Sequence, residues 1–354
     1  MSNLTSSKTT RYFAAQNSYH GFISHFSEIF RSEEYDRIYV LKGGPGTGKS
    51  SFMKKVAAQN LSAADSIEEI YCSSDPHSLD GVILSKNNAK IAILDGTAPH
   101  ERDAVISGAI DEIINLGEHW DSAWLRAKKD SIISLSSKKK NAYKAAYNYL
   151  SSAGKSNDYI ISYMIQNSVK RQIKIAADNV FSKIGSIKEG LKSTRLISSF
   201  GCHGSYKLDT LENENLKQIS VCGSDRSVGL FISHISKILQ QKSEDFIHFP
   251  NALDPGLTDA ILFPASRISI IKSDNGDVDA DALYPLNAVD KEMIRAAETI
   301  HDMALKEAVR WFKIASDIHF ELESIYGEAM NFEANDALLR ECNEEIDNIF
   351  EKNT

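Results

Sequence analysis

Apolar residues fall in short runs between turns over the first hundred positions and at spacings of three and four afterwards, so strands should give way to helices. Residues 19–30 carry apolar side chains at near-helical intervals and predict a helix. Residues 37–41 (RIYVL) predict a buried strand, and residues 52–60 (FMKKVAAQN) a helix without a breaker. Further strands are predicted at 68–72 and at 90–94, the last ending on Asp95. Such alternation implies a parallel sheet covered by helices on both faces, an α/β fold. From about 103 to 190 the pattern becomes helical, with breaks expected near Gly117 and Gly154. Late in the chain Val289, Met293, Ala297, Ile300, Ala304 and Ala308 begin a three-and-four spacing that runs through Trp311, Ala315, Ile318, Leu322 and Ile325. It predicts a helix over 289–326, with a shorter one at 333–350 folding back on it.

The pattern starts again roughly 180 residues into the chain. Thr10 and Arg11 with His20 and Gly21 are echoed by Thr194 and Arg195 with His203 and Gly204. The strand before Gly43 is echoed by residues 218–222 before Gly223. Asp75, Pro76 and Asp80, then Val82, Ile83 and Leu84, are echoed by Asp254, Pro255 and Asp259, then Ile261, Leu262 and Phe263; residues 91–94 match 268–271. Shared order and spacing across unlike elements mark a tandem duplication. The expected domains are 1–190, with a helical subdomain at about 103–190, and 191–354, with a helical hairpin at about 288–351.

The chemistry lies after the first strand, where Gly43, Gly44, Pro45, Gly46, Thr47, Gly48, Lys49 and Ser50 spell G-x-x-x-x-G-K-S between a strand and a helix. This spacing wraps backbone N–H groups around a phosphate at a helix N-terminus. Lys49 should reach the β- and γ-phosphates, the Ser50 hydroxyl should ligate Mg²⁺, and Ser51 completes the expected contact set for ATP. Asp95, at a strand end, is the candidate carboxylate for the same Mg²⁺, with the capping of the turn through Gly96 and Thr97 as its alternative role. Gly96 stands where many such enzymes place a glutamate that polarises water. Asp75 and Asp80 follow the second predicted strand and suit either turn and capping roles or the orienting of water or a second substrate; His100 is a minor candidate beside the phosphates.

In the second repeat, position-for-position alignment puts Val228, Gly229 and Leu230 opposite Gly48, Lys49 and Ser50, and Asp225 near the phosphate position. Loss of the lysine and hydroxyl predicts no triphosphate binding there. Arg226 and Arg267 are candidates for a group supplied to the live site.

Three segments, residues 38–53 (IYVLKGGPGTGKSSFM), 70–82 (IYCSSDPHSLDGV) and 91–100 (IAILDGTAPH), followed by 109–116 (AIDEIINL), give the chain its likeness. It resembles a poorly characterised bacterial family of tandem-duplicated P-loop ATPases across nearly its whole length. The resemblance implies a duplicated P-loop NTPase fold, ATP binding and ATP hydrolysis, with no settled substrate. It also implies a second working loop, from which Val228, Gly229 and Leu230 depart.

Composition narrows the partners. A formal net charge of −8 opposes a surface built wholly for nucleic acid. The one basic stretch, Lys128, Lys129, Lys138, Lys139, Lys140 and Lys144 interleaved with Tyr143 and Tyr147, reads as a solvated helix face, with a nucleic-acid grip as the alternative. Cys72, Cys202, Cys222 and Cys342 lack metal-ligand spacing and read as reduced; His319 and Glu323, one helical turn apart, lack a third ligand. No apolar run spans a bilayer, so a cytoplasmic protein is expected. The leading functional expectation is a Mg²⁺-dependent ATPase coupling nucleotide state to helix movement. A small-molecule or nucleotide kinase, with Arg102 and Lys128 in a lid, and a non-hydrolysing nucleotide sensor are its alternatives.

Overall fold

Strands form where apolar side chains run or alternate, and helices where they recur at threes and fours. The computed structural model describes residues 8–185, 190, 192–212, 216–242 and 244–353. Residues 1–7, and position 191, where the second repeat was expected to begin, lie outside them. The first repeat contains β1 (Thr9–Phe13), β2 (Ala15–Ser18), β3 (Gly21–Ser24), α1 (Phe26–Ile29), β4 (Arg37–Lys42), α2 (Lys49–Gln59), β5 (Ser66–Tyr71), β6 (Leu79–Lys86), β7 (Ala89–Asp95), β8 (Asp111–Asn115), α3 (Ser122–Ala127), α4 (Lys129–Gln166) and α5 (Lys170–Ile184). The second contains β9 (Lys192–Thr194), β10 (Ser198–Gly201), β11 (Gly204–Lys207), β12 (Lys217–Cys222), α6 (Asp225–Gln241), β13 (Phe246–Pro250), β14 (Thr258–Phe263), β15 (Ile268–Lys272), β16 (Val278–Asp279), α7 (Ala280–Leu283), α8 (Ala288–Ala329) and α9 (Phe332–Lys352).

The two halves repeat one topology. The first sheet runs β1-β5-β6-β7-β4-β8, and the second, read from its β9 edge, runs β9-β13-β14-β15-β12-β16. Each half also has a small antiparallel hairpin, β2-β3 or β10-β11. The sheets are mixed instead of purely parallel, which corrects the expectation from alternation. β4 pairs in parallel with β7 and β8, but β6 runs antiparallel between β5 and β7. The short connections on either side of β6 leave no room for a crossover helix, so hairpin geometry results. Three local expectations also change. Residues 19–30 form the end of a hairpin and the single-turn α1 instead of a helix, residues 111–115 form β8 inside the expected helical region, and α4 runs unbroken past Gly154. A methyl group on Gly154 would lie 2.6 Å from Tyr19 Cβ, so this glycine serves close packing instead of ending the helix.

The compact units do not follow the repeat boundary. One comprises the residues up to Ala14, Phe26–Lys144 and those from Trp311 onward; the other comprises Ala15–His25 and Ala145–Arg310. Each sheet is therefore completed by helices from the other repeat. In the first unit, Leu339, Cys342, Ile346 and Phe350 of α9 are buried with Tyr39, Leu41, Val56 and Ile93. In the second, Ile173, Ala177, Val180 and Ile184 of α5 are buried with Ile219, Val221, Phe231 and Ile270. Each large apolar side chain so buried contributes about 1.5–3 kcal/mol. Polar contacts fix α9 further: Arg37 Nε donates to Glu345 Oε1 at 2.7 Å, Lys55 Nζ to Asp336 Oδ1 at 2.6 Å, and Asn60 Nδ2 to Asn343 Oδ1 at 2.8 Å.

Candidate functional site

β4 is fully apolar along its buried centre and delivers the chain to Gly43, after which the backbone turns back on itself before α2 begins at Lys49. Gly46 has φ +71°, and a methyl group on it would overlap the Glu323 backbone carbonyl, so only glycine fits this position without strain. Thr47 is fully buried, and its hydroxyl donates to the Gly44 carbonyl at 2.9 Å, tying the loop together. Lys49 folds over the loop, with Nζ donating to the carbonyls of Gly43 at 3.0 Å and Gly44 at 2.9 Å. The Ser50 hydroxyl oxygen accepts from the Leu79 N–H at 2.9 Å, which leaves its second lone pair for another partner. Ser51 is exposed in the first turn of α2.

Asp95 ends β7, the parallel neighbour of β4, and caps the turn that follows, the alternative role weighed from sequence. Its Oδ1 accepts from Thr97 N–H at 2.8 Å and Thr97 Oγ1 at 2.6 Å, while Oδ2 lies 3.7 Å from Lys49 Nζ. Gly96 is confined: a side chain there would overlap Val40 and come within 2.8 Å of the Arg102 carbonyl. A glutamate at this position would require Val40 and the Arg102 carbonyl to shift. Asp80 lies in β6 instead of capping a helix, and His100 Nε2 is 3.1 Å from its Oδ2, with both side chains buried. The imidazole stacks on Phe26 at 4.5 Å. Burial opposes its charge, yet the hydrogen bond and charge of Asp80, joined by the charge of Asp95, hold the His100 pKa above the usual value. Asp75 accepts from the His77 N–H at 3.1 Å and serves a turn.

The long helices bring residues that sequence reasoning did not place here. Asn335 of α9 donates to the Thr47 carbonyl at 3.0 Å, and the Tyr326 ring covers Gly44, 2.9 Å from where its Cβ would lie. Tyr326 in turn packs on Trp120, with ring centroids 5.7 Å apart. His319 Nε2 lies 3.5 Å from Glu323 Oε1, and Lys139 Nζ lies 3.3 Å from His319 Nδ1. The His319 hydrogen bond does most to hold the Glu323 carboxyl below its usual range; burial opposes, and the charge of Lys49 and the Gly46 N–H assist. The i,i+4 spacing of His319 and Glu323 was visible in sequence; their approach to the loop was not.

The remaining sequence candidates are engaged elsewhere. Arg102, expected in a lid, donates to Ser32 Oγ at 2.9 Å and Asp111 Oδ1 at 3.1 Å, and Lys128 lies over the Trp124 ring at 4.8 Å. Arg226 donates to Asn157 Oδ1 at 2.8 Å within the second unit, and Arg267 sits in a turn with φ +54°. The second loop is shortened instead of substituted residue by residue. α6 begins at Asp225, directly after its N-cap Ser224, so Val228, Gly229 and Leu230 are helical and have no counterpart role in a loop. The carboxylate of Asp281 occupies this turn, accepting from Ser224 N–H at 3.0 Å and from the Ser224 and Ser227 hydroxyls at 2.9 and 2.6 Å.

Among the described residues no group of three or more His, Cys, Asp and Glu side chains could hold a metal ion. Ser50 and Asp95 offer hard oxygen atoms that suit Mg²⁺, and a shell built on them needs phosphate oxygens and water to be completed. Among the described residues no helix is long and apolar enough to cross a membrane. No family model, curated protein or solved structure matches the chain.

Proposed function

We propose that the first unit has a P-loop NTPase fold and binds ATP with Mg²⁺ at Gly43–Ser50. The observation that carries this reading is the loop itself: glycines at positive φ between β4 and α2, with the Lys49 ammonium folded over it beside Asp95. The loop N–H groups and the N-terminus of α2 bind the phosphates, and Lys49 exchanges the Gly43 and Gly44 carbonyls for phosphate oxygens. Ser50 and Asp95 hold Mg²⁺, which neutralises charge on the β- and γ-phosphates. The protein is then an ATPase in which α8 and α9, touching the loop through Glu323, Tyr326 and Asn335, respond to the phosphates. Transfer to an acceptor is the second reading, favoured by the confinement of Gly96 and the lack of a carboxylate beside Asp95.

Calorimetric titration of the full chain with Mg·ATP tests the binding. Lys49→Ala should weaken it by about 10- to 100-fold, the worth of charge-assisted contacts to phosphate, and equal affinities in folded proteins refute the site. Phosphate release without acceptor supports the ATPase; release or transfer only with an acceptor supports the second reading.

A further inference from the structure

We propose that Lys139 of α4 is the second phosphate cation of this site, binding the terminal phosphate of the triphosphate in place of the Glu323 carboxylate that it faces through His319. The inference rests on the nucleotide reading above. It starts from the basic stretch that sequence reading assigned to a solvated face. Lys138 and Lys140 are exposed, as that reading requires, but Lys139 is half-buried. A lysine withdrawn from water needs an anionic partner.

The partner chain is oriented. Lys139 Nζ, a donor only, lies 3.3 Å from His319 Nδ1, which must then accept, so the imidazole carries its proton on Nε2 and offers it to Glu323 Oε1, 3.5 Å away. Glu323 stands directly over Gly46, in the middle of the phosphate loop. Burial lowers the Lys139 pKa, Glu323 opposes that shift, and the like charge of Lys49 adds to it. Lys139 thus faces Glu323 through His319, and Lys49 lies over the same loop that Glu323 packs against. A phosphate carrying more charge and more acceptor oxygens satisfies both better than Glu323 does. Lys139 should therefore distinguish triphosphate from diphosphate, whereas Lys49 serves both.

The test is titration of the full chain and of Lys139→Ala, Lys139→Arg, Glu323→Gln and Lys49→Ala with Mg·ATP and Mg·ADP, after circular dichroism has confirmed folding. Lys139→Ala should lose on the order of 10- to 100-fold in ATP affinity and less than about threefold in ADP affinity, with Lys139→Arg recovering most of the difference. Glu323→Gln, which removes the competing charge, should tighten ATP; this variant carries the test if Lys139→Ala does not fold. An unchanged ATP-to-ADP ratio in Lys139→Ala, or unchanged ATP affinity in Glu323→Gln, overturns the inference. If ATP binds the wild type and Lys49→Ala abolishes binding while the ratio stays fixed, the nucleotide reading survives and only the role of Lys139 fails. A wild type that binds neither nucleotide removes both.

Discussion

Deleting α9, by ending the chain at Asn331, should unfold the first unit although every residue of the Gly43–Ser50 loop remains. Leu339, Ile346 and Phe350 are each at most 5% exposed within the core around β4 and α2. At about 1.5–3 kcal/mol each, their loss removes roughly 5–9 kcal/mol from a unit whose whole stability is on the order of 5–15 kcal/mol. The same deletion breaks the contacts from Arg37 and Lys55 and frees the Thr47 carbonyl that Asn335 holds. Ile346→Ala offers the graded form. A fully buried isoleucine cut to alanine costs about 2–5 kcal/mol, because a cavity remains as well as the lost transfer energy. For a unit of this size that is a melting temperature lowered by roughly 4–20 °C. The assay is thermal and urea denaturation of wild type, Ile346→Ala and the truncated chain, followed by near-ultraviolet circular dichroism. Unchanged melting in Ile346→Ala, or a soluble and cooperative truncated chain, refutes the reasoning that repeat two completes the core of unit one.

Replacing Asp95 with Asn should weaken the Mg²⁺ dependence of nucleotide turnover more than nucleotide binding, and coincident metal titrations would leave Asp95 with only its Thr97 turn. Calorimetry of the full chain should find one ATP per chain, because Asp281 fills the shortened second loop; two equivalent sites would contradict this. His248 is held neutral, its pKa pushed down to about 3 by burial and by the charges of Lys192 and His25. A depressed histidine costs stability as pH falls below the unfolded value of about 6.5, with the loss growing until about pH 3. Asp254 and Asp259, raised by burial, act in the opposite sense. The difference between wild type and His248→Gln should therefore grow on acidification, with the variant less acid-sensitive, and parallel stability curves would refute the assignment.

The strand, glycine-rich turn and helix over residues 37–59 were legible because their requirements are local: an apolar run, closely spaced glycines and a stretch of helix formers. The duplication was legible for a similar reason, since order along the chain survives where chemistry does not. β6 was obscured because Asp80 and Gly81 interrupt its apolar run, and β8 because DEIIN gives too short an alternation to outweigh the helical stretches around it. The shortened second loop escaped a position-for-position alignment, which represents a deletion as a run of substitutions. Asn335 and Tyr326 reach the loop, and Lys139 reaches His319, through helices whose packing depends on contacts far apart in sequence. Nothing in the pattern around Lys139 separates it from Lys138 and Lys140 except its facing direction on α4. That direction follows from helix packing and not from composition.

The crossed ownership of α5 and α9 also sets a timetable for synthesis. β4 and α2 leave the ribosome early, but the surface that α9 covers stays open until residue 352 has been made. At about 5–20 residues per second, the delay is roughly 15–60 s. The second sheet faces no such wait, because α5 precedes it and is ready when β12 and α6 emerge. Nascent chains should therefore close the second unit first and hold the first unit open longest. Chaperone demand and aggregation during expression should track mutations in α9 more closely than equally destabilising mutations in α5.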